Sequence, residues 1–256
     1  MMADWIKFLG TAGGRFVMTA QRRHSGGLWL HLGEQNLLLD PGPGSLVRAW
    51  ASRPPLDPGQ LDGVLISHHH IDHATDANVM IEAMTEGGHR QRGLLLAPQE
   101  TLTGDSPLCR YVQEFPARVE TLQEGSTHQV GPVTVTGVHH HHSAETYGMI
   151  FTSPGGRWGY LVDTGYFAEL AEAYADLDLL VISTVLWENP RGLLHLTVAD
   201  GVEIIRRAQP RRAVLTSFGM SVLNHRPWEL AEGLSQELGI EVIAASDGMT
   251  VHVGGE

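Results

Sequence analysis

The chain reads as an α/β protein in which two β-sheets pack face to face with helices on the outside. Three observations lead there. The 256 residues are 42% hydrophobic and 18% charged, ample for a core of domain size. Short apolar runs bounded by Gly, Pro and Asp fill the first part of the chain, as strands do. A second series of such runs begins near Thr127, and both series mix strands with helical patterns. One domain over 1–256 is expected, made of two comparable halves, about 1–125 and 126–256.

In the first half, strands are expected over 5–8, 28–32, 37–39, 64–66 and 94–96. A helix follows Asp72 and carries Ala74, Ala77, Val79, Met80 and Met84 on its inner side. The glycines of Gly10-Thr11-Ala12-Gly13-Gly14 lack the Gly-Lys-Ser/Thr ending of a phosphate-binding loop and read as a tight turn between strands. In the second half, strands are expected over 133–138, 149–152, 160–162, 179–183, 214–216, 242–244 and 250–253. Helices are expected over 168–174, 197–208 and 227–238. The middle one has Thr197 as N-cap and Asp200 three residues on, a variant capping box, with Pro210 beyond its end. Trp50, Trp158, Trp187 and Trp228 are expected in the core or a pocket wall.

Charge and cysteine usage narrow the function. Seventeen basic against twenty-nine acidic residues give a net charge of −12, and Lys7 is the only lysine. Affinity for a nucleic acid backbone comes mainly from Lys and Arg, so no long nucleic acid is expected as partner. The lone Cys109 excludes a disulfide framework and a thiolate zinc cluster. The N-terminal residues show no signal-peptide pattern and no run of about 18 apolar residues occurs, so no membrane association and a cytoplasmic location are expected. A homodimer stays open.

One number is out of line, the fifteen histidines. Eight fall in two clusters: His68, His69, His70 and His73, then His139, His140, His141 and His142. In the first, His68-His69-His70-Ile71-Asp72-His73 follows the apolar strand over 64–66 directly. His68 and His70 are two apart on extended backbone and point the same way, while Asp72 and His73 follow where the chain turns into a helix. Imidazole and carboxylate together suit zinc, iron or manganese.

These residues resemble the signature of the metallo-β-lactamase superfamily, His-x-His-x-Asp-His after a strand. The other motifs appear in order. Leu37-Leu38-Leu39-Asp40-Pro41-Gly42 is similar to the first, a strand ending in Asp. His142, six residues before Gly148, is similar to the third, and Gly159-Tyr160-Leu161-Val162-Asp163 to the fourth. Spacing and wording are nearest the ribonuclease Z and phosphodiesterase branch. The resemblance implies an αββα four-layer sandwich with metals at one edge between the sheets. It assigns His68, His70 and His142 to a first metal, and Asp72, His73 and a bridging Asp163 to a second. His141 is the alternative to His142, with His139 and His140 as neighbours. Asp40 either orients a ligand histidine or is a turn residue before Pro-Gly. By the same resemblance His195, just before a capped helix, stabilises charge or protonates the leaving oxygen, and Asp72 accepts a proton. Arg22 or Arg23, in the loop 21–27, is placed to grip a phosphate or carboxylate, unless both are plain surface arginines.

The departure is at the fifth motif. The family pattern is Leu-Thr-His-Phe, whereas this chain has Leu215-Thr216-Ser217-Phe218, so a nitrogen ligand of the second metal is gone. Water, His225 or Asp247 are the substitutes, although His225 also reads as an exposed loop residue and Asp247 as part of a turn. The implied cofactor is zinc, one or two ions, with iron or manganese as alternatives. The implied activity is a metallo-hydrolase in which ions about 3.5–4 Å apart lower the pKa of a shared water and give hydroxide as nucleophile. A small phosphodiester is the first substrate class, with lactone, thioester or amide hydrolysis, or ligand binding without efficient turnover, as alternatives. The absence of a signal peptide speaks against β-lactam hydrolysis.

Overall fold

A computed structural model describes residues 3–25 and 27–254. Its strands are, in chain order, β1 (Trp5–Phe8), β2 (Leu28–Leu32), β3 (Gln35–Leu39), β4 (Gly63–Leu65), β5 (Leu94–Ala97) and β6 (Arg118–Thr121). Then follow β7 (Thr127–Val130), β8 (Val133–His140), β9 (Thr146–Ser153), β10 (Gly156–Leu161), β11 (Leu179–Ser183), β12 (Arg212–Thr216), β13 (Glu241–Ala244) and β14 (Thr250–His252). They form two seven-stranded sheets, ordered β14-β1-β2-β3-β4-β5-β6 and β13-β12-β11-β10-β9-β8-β7. Each sheet is half antiparallel and half parallel: β3 to β6 run parallel in one, β10 to β13 in the other. The last strand, β14, returns to the first sheet and pairs with β1.

The leucine runs explain the layering. In β3, Leu37 and Leu39 pack between the sheets with Leu30, Leu65, Phe151, Trp158 and Val181, while Leu38 packs outward with Trp29, Val64 and Met80. Successive strand residues face opposite ways. A strand covered on both faces therefore reads as a continuous apolar run rather than an alternating one. Burying each such leucine contributes about 1.5–3 kcal/mol.

Helices cover both outer faces, giving the expected αββα sandwich. They are α1 (Gly14–Thr19), α2 (Ser45–Ala51), α3 (Ile71–Ala74), α4 (Ala77–Thr85) and α5 (Gln99–Thr103), then α6 (Leu170–Ala173), α7 (Val198–Ala208), α8 (Met220–Leu223) and α9 (Pro227–Leu238). The capping box of α7 forms as read: Thr197 Oγ1 accepts from Asp200 N, and Asp200 Oδ2 accepts from Thr197 N.

Some expectations need correction. The helix after Asp72 is two pieces, α3 and α4, and Val79 is 41% exposed. Ala77, Met80, Ile81 and Met84 follow the helical period, and Val79 falls on the opposite side. The glycines over 10–14 lead into a helix, with Gly13 as its N-cap, not into a second strand. Trp50 and Trp228 stand more than half exposed, whereas Trp158 is fully buried and Trp187 packs against the core. No helix among the described residues is long and apolar enough to cross a membrane.

Candidate metal centre

The functional side chains all follow the C-terminal ends of strands. Asp40 comes after β3, Ser67 to His73 after β4, His142 after β8, Asp163 after β10 and Ser217 after β12. Two of these ends are bent sharply: Asp40 (φ 51°) and Ser217 (φ 54°) sit in the left-handed region. That costs a non-glycine residue roughly 1–2 kcal/mol and is found where surrounding contacts hold it. Glycines supply the close approach. A Cβ on Gly13 would lie 1.9 Å from the Ser217 carbonyl oxygen, and one on Gly42 2.0 Å from that of Asp72. Gly13 N donates to Phe218 O, and Phe218 N to Thr11 O, which ties the turn after β12 to the first loop.

His68, His70 and His142 converge. His68 Nε2 lies 3.0 Å from His70 Nδ1, and His142 Nε2 lies 3.2 Å from that same nitrogen. Their outer partners set the tautomers. Ser67 Oγ donates to Asp40 Oδ2, so it accepts from His68 Nδ1–H. The Leu194 carbonyl accepts from His142 Nδ1–H at 2.9 Å. Both Nε2 atoms therefore turn lone pairs inward. Three ring nitrogens thus face one point with at most one proton among them. Burial holds His68 well below the ordinary histidine range, pushes His70 to about 4 and lowers His142. Nitrogens on a tetrahedral zinc stand about 3.3 Å apart, close to the spacing seen.

A second group shares this wall and is richer in oxygen. His73 Nδ1–H donates to Asp40 Oδ2 at 2.9 Å, which turns Nε2 toward Asp163 Oδ2 at 3.5 Å and Asp72 Oδ2 at 3.8 Å. Asp40 is fully engaged, accepting also from Ser67 N, Ser67 Oγ and the Tyr160 hydroxyl. Burial works against charge on His73, but Asp72, Asp163 and Asp40 raise it well above its ordinary value. Burial likewise disfavours the Asp163 carboxylate, yet His195 and His73 hold it well below the usual range. Asp163 Oδ1 is buried with no hydrogen-bond partner. His73 Nε2 facing two carboxylates, beside that orphaned oxygen, fits a cation that takes the place of its proton.

His195, two residues before the capped Thr197, has Nδ1 3.7 Å from Asp163 Oδ2 and its ring 5.0 Å from that of His142. Burial lowers its pKa, but Asp163 outweighs this and the net shift is upward. Among the described residues, three ligand trios come within 4.8 Å: His68–His70–His142, His68–His73–Asp163 and His142–Asp163–His195.

Other expected residues are not brought in. The exposed His141 ring stacks on Phe167 at 4.1 Å, away from the cluster, while its backbone bonds Thr164 Oγ1 and Gly165 N and so steadies the turn after Asp163. His140 is buried and bonds the Tyr174 hydroxyl. Arg22 is exposed and Arg23 half-buried, and neither side chain reaches the cluster. Ser25 of the same loop does face it, and Gly26 lies outside the described residues. His225 is exposed and stacked on Trp187 at 3.9 Å. Asp247 accepts from Thr11 N, Thr11 Oγ1 and His24 N, clamping two loops. Ser67 and Tyr160 were missed in the sequence, where only the adjacency of Ser67 to His68 gave a hint, and Ser25 stood there only as a member of the loop 21–27.

A face-to-face pair of mixed sheets with a histidine–carboxylate cluster at its strand ends defines the αββα fold of metal-binding hydrolases. The chain belongs to the β-lactamase superfamily, the metallo-hydrolases of this fold: the model of the Beta-lactamase superfamily domain matches residues 35–218. It is 30% identical over 254 residues to the uncharacterized protein MJ1374 of Methanocaldococcus jannaschii, covering 97% of this chain and 94% of that one. Among solved structures it resembles the metallo-β-lactamase fold protein YhfI of Bacillus subtilis (TM-score 0.78, 19% identity, 98% and 99% of the two chains). It also resembles a diphosphatase from the PhnP family (TM-score 0.73, 17% identity, 98% and 97%).

Proposed function

We propose that this chain is a metal-dependent hydrolase of small anionic phosphodiesters. The observation that carries the reading is the convergence of three imidazole nitrogens beside the orphaned Asp163 oxygen, with His195 at the rim. His68, His70 and His142 would hold one divalent ion, with zinc as the fitting choice, and His73, Asp72 and Asp163 a second. Bound there, divalent ions supply Lewis acidity and bring the pKa of water toward neutrality. The protein's own groups do the rest. Asp40 aims His73 directly and His68 through Ser67. Asp72 accepts the proton of the attacking water. His195, whose proton Asp163 stabilises, is one-fifth exposed and delivers that proton to the leaving oxygen.

Substrate size follows from the chain. Twenty residues separate His142 from Asp163, and they form the bare hairpin β9–β10 with no inserted arm for a long RNA. With a net charge of −12, only a small anion drawn by the ions themselves suits the site. The structural likeness to a diphosphatase favours phosphorus over carbon esters. The test is turnover of bis(p-nitrophenyl) phosphate against a lactone panel by metal-loaded protein. Phosphodiester cleavage lost in His195→Ala with metal content kept is the expected result. Lactone turnover with inert phosphodiesters would move the chain to the carboxyl-ester class.

A further inference from the structure

Position 217 has a serine where the superfamily pattern has an imidazole, and a small polar cavity lies beside it. Ser217 Oγ accepts from Ser183 Oγ at 3.1 Å, which leaves its own proton to donate. Beside it lies a cavity of about 30 Å³ bounded by Ser217, Ser25, Asp40, Asp72, His73 and Tyr160. Ser25, which lines that cavity, is only 4% exposed, and its Oγ has no hydrogen-bond partner among the described residues. The volume is enough for a water molecule. The two serine hydroxyls and the Asp72 carboxylate around it are the polar partners such a water needs.

We infer that the two metal positions are chemically unequal, with the first a zinc site and the second an oxygen-dominated site at which manganese competes with zinc. A cavity water held by Ser25 and Ser217 takes the place of the missing imidazole there. The inference rests on the metal centre proposed above. The donor counts carry it. Three imidazoles at His68, His70 and His142 suit zinc. One imidazole at His73, the carboxylates of Asp72 and Asp163, and water form the harder set that suits manganese. Zinc binds a given nitrogen site more tightly than manganese does, so removing a nitrogen narrows that advantage at one position only.

Metal-free protein titrated with zinc, then with manganese in the presence of one equivalent of zinc, tests this by metal analysis and manganese paramagnetic resonance. The serine protein is expected to bind its second zinc at least about 100-fold more weakly than the first. With one zinc in place it should take up one manganese per chain. Ser217→His is expected to bring the second zinc within about tenfold of the first and to exclude manganese. Ser25→Ala, which removes only a hydroxyl, is expected to weaken manganese by about tenfold and leave the first zinc unchanged. Two zinc ions of equal affinity in the serine protein, or manganese binding indifferent to Ser25→Ala, would overturn the inference while the hydrolase reading stood. Failure of every variant to bind any metal would instead remove the hydrolase reading, and this inference with it.

Discussion

The two donor groups share His68 and one wall of the site, yet opposite forces shape them. Around His70 and His142, burial outweighs the pull of Asp163 and favours the neutral imidazoles. Around His73, three carboxylates overcome the same burial and favour the charged ring. A buried imidazole is therefore not one kind of group, because its neighbours decide whether it presents a lone pair or a proton. The first group is ready for a cation as folded, and the second gives up a proton to receive one.

The contrast can be broken, most severely at the first group. His142→Ala is expected to abolish metal at that position and cut turnover by more than about 100-fold, beyond what losing an outer partner costs. His141→Ala should change neither, because its ring lies on Phe167. Metal analysis of the two variants decides it. Asp40→Asn strikes the second group through its support. Metal affinity there should fall about 10–100-fold, and thermal unfolding should show a loss of about 3 kcal/mol, since four donors lose a buried anion.

A smaller effect tests the neutrality of buried imidazoles away from the donors. His140 is pushed down to about 3 by burial. The unfolded chain takes up its proton near pH 6.5 and the folded chain does not until about pH 3. The stability this contributes is complete above pH 6.5 and is lost as pH falls through that window. Between about pH 7 and 4.5 the native protein should lose about 2 kcal/mol more than His140→Gln, read from denaturant curves. The smallest effect is expected in the loop 21–25. Arg22→Ala and Arg23→Ala should move KM less than twofold, because neither side chain touches the cluster. A tenfold rise would show that this loop grips the substrate.

Much of the site was legible because its residues are close in sequence. His68, His70, Asp72 and His73 lie within one strand end and one helical turn, so local geometry alone brings them together. The capping box that places His195 was readable for the same reason. The choice of His142 over His141 was carried by its distance to Gly148, and the structure shows adjacent side chains pointing to opposite sides, one to His70 and one to Phe167. Reading α1 as a strand turn failed because what terminates Gly10 to Gly14 is the backbone of Ser217 and Phe218, about two hundred residues away.

By itself the sequence determined the layered fold, through apolar runs too continuous for a sheet with one wet face, and the kinds of donor present, through side-chain chemistry. Which nitrogen of each histidine faces inward was decided only by tertiary structure. So were the engagement of Asp40 with four donors and the removal of Asp247 and His225 from the metal question. The physical reason is that hydrogen-bond partners drawn from β3, β4, β10 and the loop before α7 meet only when the two sheets close. The meaning of Ser217 changed with them. In the sequence it is a missing ligand, and in the folded chain it is one wall of a small polar cavity.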